Sequence, residues 1–183
     1  MSKWKSLVLI LMGSPNDLSV MEEAAKILDH FNVPYEITVT SAHRSPDRTH
    51  QIVKSAPKKG VELFIVGAGG AAHLAGVVAS LTTLPVIGVP IDSSSLQGMD
   101  ALLATVQMPG GVPVATMAIG KAGAKNGGIF AVQILAKKNR ELEKKLFRYK
   151  EEMAKEVEGK SKIIHGRNTS ANRGGKVKVR GLP

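Results

Sequence analysis

The sequence predicts an α/β protein, in which a central sheet of about five parallel strands lies between two layers of helices. Two observations support this fold class. Apolar, often β-branched runs of strand length alternate with longer segments whose apolar residues recur at helical spacing, as repeated strand and helix units require. Several runs are continuously apolar, which indicates strands covered on both faces. With 183 residues, of which 43% are hydrophobic, the chain has the size of a single domain.

Five segments have the length and composition of β-strands. Each is a run of apolar or β-branched residues followed by small or polar residues that favour a turn. The predicted strands are residues 6–12, 35–40, 61–66, 85–91 and 112–119. Right-handed crossovers between parallel strands would bring the loops that follow them to one edge of the sheet, where ligands bind in open α/β folds.

The first helix begins at a capping box. Ser14 is followed three residues later by Asp17, with Pro15 at the first helical position, and apolar residues recur at helical spacing to about residue 31. Ser14 and Asp17 therefore have a structural explanation as caps. A Gly-Ser turn that follows a strand and opens a helix is also a way to hold a phosphorylated ligand on backbone N–H groups, so both interpretations stay open.

The later helices are predicted from similar signals. Ser45 as the N-cap and Pro46 at the first helical position begin a helix to about residue 59, which Gly60 stops. A polar loop at residues 92–98 follows the fourth strand. Two further helical segments are predicted at residues 99–105 and 129–137.

Residues 140–157 change in composition to a highly charged helix with one narrow apolar stripe. The stripe consists of Leu142, Leu146, Tyr149 and Met153. A helix of this kind packs on the body or on a neighbouring subunit, and we expect the stripe to contribute to subunit association. Gly159 is expected to end the helix. Residues 159–183 then form a basic tail that has little to bury and is expected to be mobile.

The net charge of +10 is concentrated in this tail. Residues 159–183 hold seven Lys and Arg and no acid, so the preceding 158 residues carry only +3. Because aromatic content is also low, at 4%, a nucleic acid is not expected as a partner of the folded body. A membrane is not expected as a partner either. The chain has no cysteine, which excludes disulfides and thiolate sites. The apolar run at residues 7–12 is too short for a secretory signal or a membrane span, so a cytoplasmic location is expected.

The strongest chemical signal lies at residues 41–48, SAHRSPDR, between the second strand and the second helix. His43 supplies an imidazole that can carry a proton, Arg44 is a fixed cation, and the helix that follows offers free N–H groups to an anion. At the carboxyl edge of a parallel sheet these groups would form a ligand site. The alternative is a surface turn with an ordinary helix cap and a solvated histidine.

A second candidate loop is rich in glycine. Residues 67–76, GAGGAAHLAG, follow the third strand, and their small side chains let a ligand approach the main chain. Taken alone, such a loop is weak evidence, and a lone histidine such as His73 is more often structural than catalytic. No G-x-G-x-x-G opens the first helix, so the sequence does not fit a dinucleotide-binding fingerprint.

Four stretches together resemble one known family. They are MGSPND at residues 12–17, SAHRSPDR at 41–48, GAGGAAHLAG at 67–76 and the segment 98–126. In order and spacing they closely resemble the bacterial-type (class I) N5-carboxyaminoimidazole ribonucleotide mutases of de novo purine biosynthesis, the PurE family, over roughly residues 5–157. The resemblance implies a flavodoxin-like three-layer αβα sandwich and a homo-octamer with active sites at subunit contacts. It also implies that a carboxyl group of a small ribonucleotide moves from an exocyclic nitrogen to ring carbon C4, without metal, biotin, ATP or another cofactor.

The resemblance implies two catalytic candidates. His43 matches the proton-transferring histidine of the family, and His73 is the second histidine of the motifs. One imidazole near neutral pH can protonate the substrate nitrogen and later remove the C4 proton. The positions implied to bind substrate are Ser14, Asn16, Asp17, Ser41, Arg44, Gly69, Gly70, Ala71 and Leu74.

The family pattern divides these residues among the parts of the substrate. Asp17 is expected on the ribose hydroxyls, and Arg44 with Ser41 on the phosphate. The loop at residues 69–74 should hold the carboxylate or CO2, largely through backbone N–H groups, and confining CO2 favours its recapture over its loss. The chain departs from the family pattern at Pro15, Asn16 and Ala75.

Other functions remain open from the sequence. The mutase is favoured because GGAAHL, residues 69–74, differs from the third loop of the animal-type relative, which carboxylates aminoimidazole ribonucleotide directly with CO2. A non-enzymatic phosphosugar-binding module, or an RNA-associated protein that uses the tail, is a further class. A phospho-receiver module would need clustered acids, whereas only Asp17 lies near the strand ends. We expect a single catalytic domain at residues 1–158, which includes an oligomerisation helix at about 140–158, and the basic tail at 159–183.

Overall fold

The computed structural model describes the backbone of residues 6–171 and the side chains of residues 6–164. Its strands are β1 Val8–Met12, β2 Tyr35–Val39, β3 Leu63–Gly69, β4 Val86–Ile91 and β5 Ala115–Thr116. They form one parallel sheet in the order β2-β1-β3-β4-β5. This is the strand order of flavodoxin-like folds, and the predicted fold class is confirmed.

Six helices are present in the described part of the chain. They are α1 Leu18–His30, α2 Pro46–Ser55, α3 Leu74–Leu81, α4 Met99–Val106, α5 Gly120–Ala136 and α6 Arg140–Ala171. Short 3-10 turns at Pro15–Asp17 and Pro57–Lys59 precede α1 and follow α2. Helices α1 and α5 pack against each other on one face of the sheet. Residues of α2, α3 and α4 share an apolar cluster with Leu9, Leu11, Phe64 and Val66 on the opposite face.

The register of the sheet brings the carboxyl ends of its strands level. Met12 pairs with Val39 on one side and with Gly67 on the other, and Gly69 pairs with Ile91. The loops that follow β1, β2, β3 and β4 therefore leave the sheet at the same edge. This is the edge at which open parallel sheets bind ligands.

Strand β3 extends three residues further than the sequence predicts, to Gly69. The glycines at its end lie in the strand, and they have no side chain because a neighbouring side chain takes the space that a Cβ would need. A Cβ at Gly67 would overlap the Met21 sulfur of α1. Gly67 was expected to begin a loop, but in the structure it is a strand residue at which the sheet and helix α1 make a close contact.

Helix α5 begins at Gly120 rather than at the predicted residue 129. Glycine usually weakens a helix, so the run before Ile129 was expected to be a loop. In the structure these glycines allow close packing: a Cβ at Gly128 would lie 2.9 Å from the Ala24 carbonyl oxygen of α1. Tertiary contact therefore outweighs the low helix propensity.

Strand β5 is much shorter than predicted. Only Ala115–Thr116 pair with β4, whereas residues 112–119 were expected to form the strand. Pro113 has no N–H to donate to a sheet, and the N–H of Val112 donates to the Pro109 carbonyl in a turn. The prediction of a long fifth strand was wrong.

Helix α6 starts at an asparagine cap and runs beyond its predicted end. The side chain of Asn139 accepts hydrogen bonds from the N–H groups of Glu141 and Leu142. The helix continues through Gly159 to Ala171, so the prediction that Gly159 ends it was wrong. Gly159 has no positive φ, and a helical glycine costs only about 1 kcal/mol relative to alanine.

The chain divides into two compact units, one through Leu142 and the other from Glu143 onward. In the second unit the described residues belong to α6. Residues 172–183 of the predicted tail lie outside the described residues, so the mobility of the tail stays a prediction. The same holds for the association role of the α6 stripe. Among the described residues, no helix combines the length and apolar character needed to cross a membrane.

Candidate active site

The loops after β1, β2, β3 and β4 enclose a cavity at the carboxyl edge of the sheet. Its volume is about 260 Å³. Eight of the eleven candidate residues line it, so motifs that are far apart in sequence converge on one place. The lining residues are Gly13, Ser14, Asp17, Ser41, Ala42, His43, Arg44, Ala68, Gly69, Ala71, Leu74 and Ser93.

The loop after β1 contains the predicted capping box. The N–H of Ser14 donates to Asp17 Oδ2 at 3.0 Å, and the N–H of Asn16 donates to Ser14 Oγ at 3.3 Å. Asp17 is only 4% exposed. Its burial raises the pKa of the carboxyl group above the ordinary value, although the hydrogen bond from Ser14 opposes this shift. The capping interpretation and the site interpretation are compatible, since Asp17 caps the turn and also lines the cavity.

The loop after β2 is held by its own serines. Ser41 Oγ accepts the N–H of Arg44 at 3.1 Å, and Ser45 Oγ accepts the N–H of Ser41 at 3.1 Å. Ser45 is the N-cap of α2, as predicted, but its hydroxyl donates to the Ser41 carbonyl and makes no cap bond to the helix. Beneath this turn the buried hydroxyls of Thr40 and Thr49 lie 2.8 Å apart. The turn therefore holds its shape independently of any ligand.

Arg44 connects two walls of the cavity. Its Nη2 donates to the Gly13 carbonyl at 3.3 Å, which ties the loop after β2 to the loop after β1. Within residues 6–164 its other guanidinium N–H groups make no hydrogen bond to protein. A guanidinium has five N–H donors, so most of them remain available to an anion in the cavity.

His43 and His73 meet although they are 30 residues apart in sequence. His43 Nε2 lies 2.9 Å from His73 Nδ1, with the rings at 82° to each other. A hydrogen bond of this kind holds one proton between the two nitrogens, so one ring donates and the other accepts. His43 lines the cavity, whereas His73 does not and contacts His43 beside it. His43 is exposed, and its ring is held by this contact with His73.

The loop after β3 forms the third wall. Gly70 has a φ of +59°, which turns the chain sharply in a conformation that favours glycine. The N–H groups of Ala72 and His73 donate to the carbonyls of Gly70 and Ala71, both at 2.8 Å. Within residues 6–164 the amides of Gly70 and Ala71 make no such bonds. The backbone donors that this loop can offer a ligand are therefore fewer than the sequence suggests.

Three of the eleven candidate residues, Asn16, Gly70 and His73, do not line the cavity. Asn16 serves the capping box through its backbone, and Gly70 shapes the loop. Four residues that were not predicted from the sequence also line the cavity. Gly13, Ala42 and Ala68 are neighbours of candidate residues, and Ser93 belongs to the polar loop after β4.

Ser93 could have been found only with the strand order in hand. The polar loop at residues 92–98 is evident in the sequence, but the sequence does not show that β4 lies next to β3.

Within residues 6–164 no group of three or more His, Asp or Glu side chains is placed to hold a metal ion. The titratable and charged groups that line the cavity are Asp17, His43 and Arg44.

Comparison with known proteins extends the likeness over most of the chain. The family model of AIR carboxylase matches residues 7–156. An N5-carboxyaminoimidazole ribonucleotide mutase of Pyrococcus horikoshii is 56% identical over 164 residues, which is 90% of this chain and 92% of that protein. A protein of the same name from Thermotoga maritima is 57% identical over 148 residues, 81% of this chain and 85% of that one.

A solved structure shares the architecture. The crystal structure of Treponema denticola PurE matches with a TM-score of 0.77 at 29% identity, covering 85% of this chain and 96% of that chain. The family model spans the strands and the four loops that enclose the cavity. On the match of the family model and the high identity of these relatives, the chain belongs to the AIR carboxylase family.

Proposed function

We propose that the protein converts N5-carboxyaminoimidazole ribonucleotide into 4-carboxy-5-aminoimidazole ribonucleotide, an isomerisation in de novo purine biosynthesis. Relatives that are 56% and 57% identical carry the name of this mutase. The observation that carries the proposal in the structure is the hydrogen-bonded pair His43 and His73, at the wall of a cavity that also contains Arg44 and Asp17. A proton carrier, a fixed cation and a carboxylate are the groups that this substrate and this reaction need.

The phosphate and ribose would bind at the loops after β1 and β2. Arg44 supplies a charge-assisted contact to the phosphate, and Ser41, whose hydroxyl supports the Arg44 backbone, lies beside it. Asp17 accepts hydrogen bonds from the ribose hydroxyls. Ser14 and Asn16 complete this part of the site, because the capping box fixes the turn on which Asp17 is held. These contacts are alike in substrate and product, so they provide affinity rather than rate.

The carboxyl group would move near the loop after β3. A protonated His43 gives its proton to the exocyclic nitrogen, the bond between nitrogen and carboxyl carbon breaks, and CO2 and a neutral amine result. Gly69, Ala71 and Leu74 keep the CO2 within reach, on the loop that Gly70 shapes. C4 of the ring attacks it, and the proton on C4 returns to His43. The His43 imidazole is then protonated again and ready for another cycle, and the atoms balance without a cofactor.

His73 would act together with His43. Because the two rings share one hydrogen bond, His73 fixes the orientation of the His43 ring and supports either protonation state, as an acceptor or as a donor. A histidine that serves first as acid and then as base needs such a partner. Direct carboxylation by CO2 and a non-catalytic binding role are not favoured, since the relatives of high identity are named as mutases.

The same proposal includes a homo-octamer in the cytoplasm. An apolar face on and before α4 supports assembly, because large side chains there are exposed at helical spacing. Leu96 is 64% exposed, Met99 53%, Leu103 50% and Val106 47%. A surface of this kind is typical of a protein contact. The α6 stripe predicted to contribute to association is a second candidate contact surface.

The activity can be tested directly on the purified protein. Incubated with either carboxylated ribonucleotide in the absence of ATP, the enzyme should interconvert the two isomers, as followed by ultraviolet absorbance. A folded protein that produces no interconversion from either side would overturn the proposal. A chain with Arg44→Ala and His43→Asn together is a suitable blank, because it lacks both the phosphate contact and the proton carrier.

A further inference from the structure

Ser93 lies on the cavity wall, and neither the sequence motifs nor the mechanism above gives it a role. It follows β4 and is exposed to the cavity that Asp17, His43 and Arg44 also line. Within residues 6–164 its hydroxyl makes no hydrogen bond to another protein group. Its neighbour Ser94 is different, since Ser94 Oγ accepts the N–H of Leu96 at 3.2 Å and stabilises the loop. Ser93 is thus a free hydroxyl in the candidate site.

The position of this hydroxyl depends on Gly69. A Cβ at Gly69 would overlap Ser93 Oγ and would lie 3.0 Å from Ser93 Cβ. Gly69 has no positive φ, so the left-handed conformation does not explain the glycine here. The absence of a side chain instead brings the Ser93 hydroxyl against the backbone of the loop after β3. The two residues form one surface of the cavity.

The strand order indicates which part of the substrate Ser93 faces. Arg44 follows β2, Asp17 follows β1, the loop with Gly69 follows β3 and Ser93 follows β4, and these strands are neighbours in the same order. Three strand spacings, or about 14 Å, separate β2 from β4. A ribonucleotide with its phosphate at Arg44 and its ribose at Asp17 extends its base toward β3 and β4. Ser93 then lies at the end that carries the carboxyl group.

We propose that Ser93 donates a hydrogen bond to the carboxyl group that is transferred, and so acts as a binding residue for that group. This inference rests on the proposed function. The loop after β3 uses the N–H groups of Ala72 and His73 in its own turns, so a hydroxyl from the next strand end adds a donor to the few that the loop can offer. A donor on the β4 side also faces the carboxyl group from the direction opposite to Arg44.

Two ligands that differ only in the carboxyl group test the proposal. The affinities of full-length wild type and Ser93→Ala would be measured by calorimetry for 4-carboxy-5-aminoimidazole ribonucleotide and for 5-aminoimidazole ribonucleotide. A hydrogen bond to a charged group predicts at least about a tenfold loss of affinity for the carboxylated ligand. Binding of the ligand without the carboxyl group should change by less than about twofold. Arg44→Ala should weaken both ligands alike.

Ser95→Ala is the matched control. Ser95 lies in the same loop and is exposed, but it does not line the cavity, so its replacement should leave both affinities unchanged. Equal losses for the two ligands in Ser93→Ala, or no loss for either, would overturn the role of Ser93. If the wild type bound neither ligand, the proposed function would itself fail and this inference with it. Thermal unfolding of each variant verifies that a loss of affinity reflects a folded protein.

Discussion

Replacing His43 with asparagine removes the proposed proton carrier and leaves the binding residues in place. Arg44 is held independently of the imidazole, through its N–H to Ser41 Oγ and through Nη2 to the Gly13 carbonyl. The phosphate contact should therefore survive, and affinity for the carboxylated ribonucleotide should stay within about tenfold of wild type. Turnover should fall by about 10²-fold to 10⁴-fold, the usual contribution of a positioned acid or base.

The same substitution at His73 provides the comparison. His73 is at the other end of the 2.9 Å hydrogen bond and does not line the cavity. His73→Asn therefore removes the partner that orients His43 but leaves the ring that faces the substrate. We expect a loss of turnover of about tenfold, equivalent to one hydrogen bond, which is clearly smaller than the loss in His43→Asn.

Steady-state interconversion followed by ultraviolet absorbance gives the turnover of both variants, and calorimetry gives their affinity. Circular dichroism and sedimentation should show that each is folded and associated like the wild type. Near-normal turnover in His43→Asn together with loss of turnover in His73→Asn would refute the assignment and move the acid–base role to the loop after β3. Normal turnover in both would place the proton carrier outside the pair.

Three further predictions follow from the same contacts. Arg44→Ala should raise the Kd for the ribonucleotide by about 10-fold to 100-fold and change kcat much less, because it removes a charge-assisted contact present in ground and transition states alike; a fall in kcat at unchanged Kd would contradict this. Burial raises the pKa of Asp17 above its ordinary 3.8, so the folded state holds this proton more tightly than the unfolded state. The free energy of unfolding of the wild type should therefore fall relative to that of Asp17→Asn as the pH rises from the ordinary to the raised pKa. Denaturant unfolding of both proteins across that pH range measures this fall, and a relative gain by the wild type would contradict it. A chain truncated after Asn139 lacks α6 and its stripe and should sediment as a smaller species, whereas an unchanged, stable oligomer would argue against association through the stripe.

The elements that the sequence predicted well are those with local signals. The apolar runs of β1 and β4 are set by composition, and the start of α2 is set by Pro46 at the first helical position; all three appear where expected. The errors occur where tertiary packing, rather than the local sequence, determines the secondary structure. Gly67 in β3 and Gly128 in α5 look like loop residues, yet a partner on α1 occupies the space of their missing side chains. Such contacts between distant segments leave no local trace.

The candidate site shows the same division. The two stretches that carry the strongest motifs, at residues 41–48 and 67–76, both contribute to the cavity, at the edge of the sheet where their positions after strands predict them. The bond between His43 and His73 depends on the register of the sheet and the turn at Gly70, which a motif does not specify. Ser93 was missed because its place beside Gly69 follows from the order of β3 and β4.

In the proposed reaction, the carboxyl group on nitrogen becomes the carboxyl group on C4 within one cavity. The most direct measurement uses N5-carboxyaminoimidazole ribonucleotide with a ¹³C-labelled carboxyl group, converted in buffer with excess unlabelled bicarbonate and no ATP. Mass spectrometry of the 4-carboxy product after a brief reaction determines whether its carboxyl carbon comes from the labelled substrate or from bicarbonate. A product that largely retains the label is the predicted result, because CO2 is recaptured faster than it escapes. A product that carries carbon from the unlabelled pool from the start would contradict the transfer and indicate direct carboxylation.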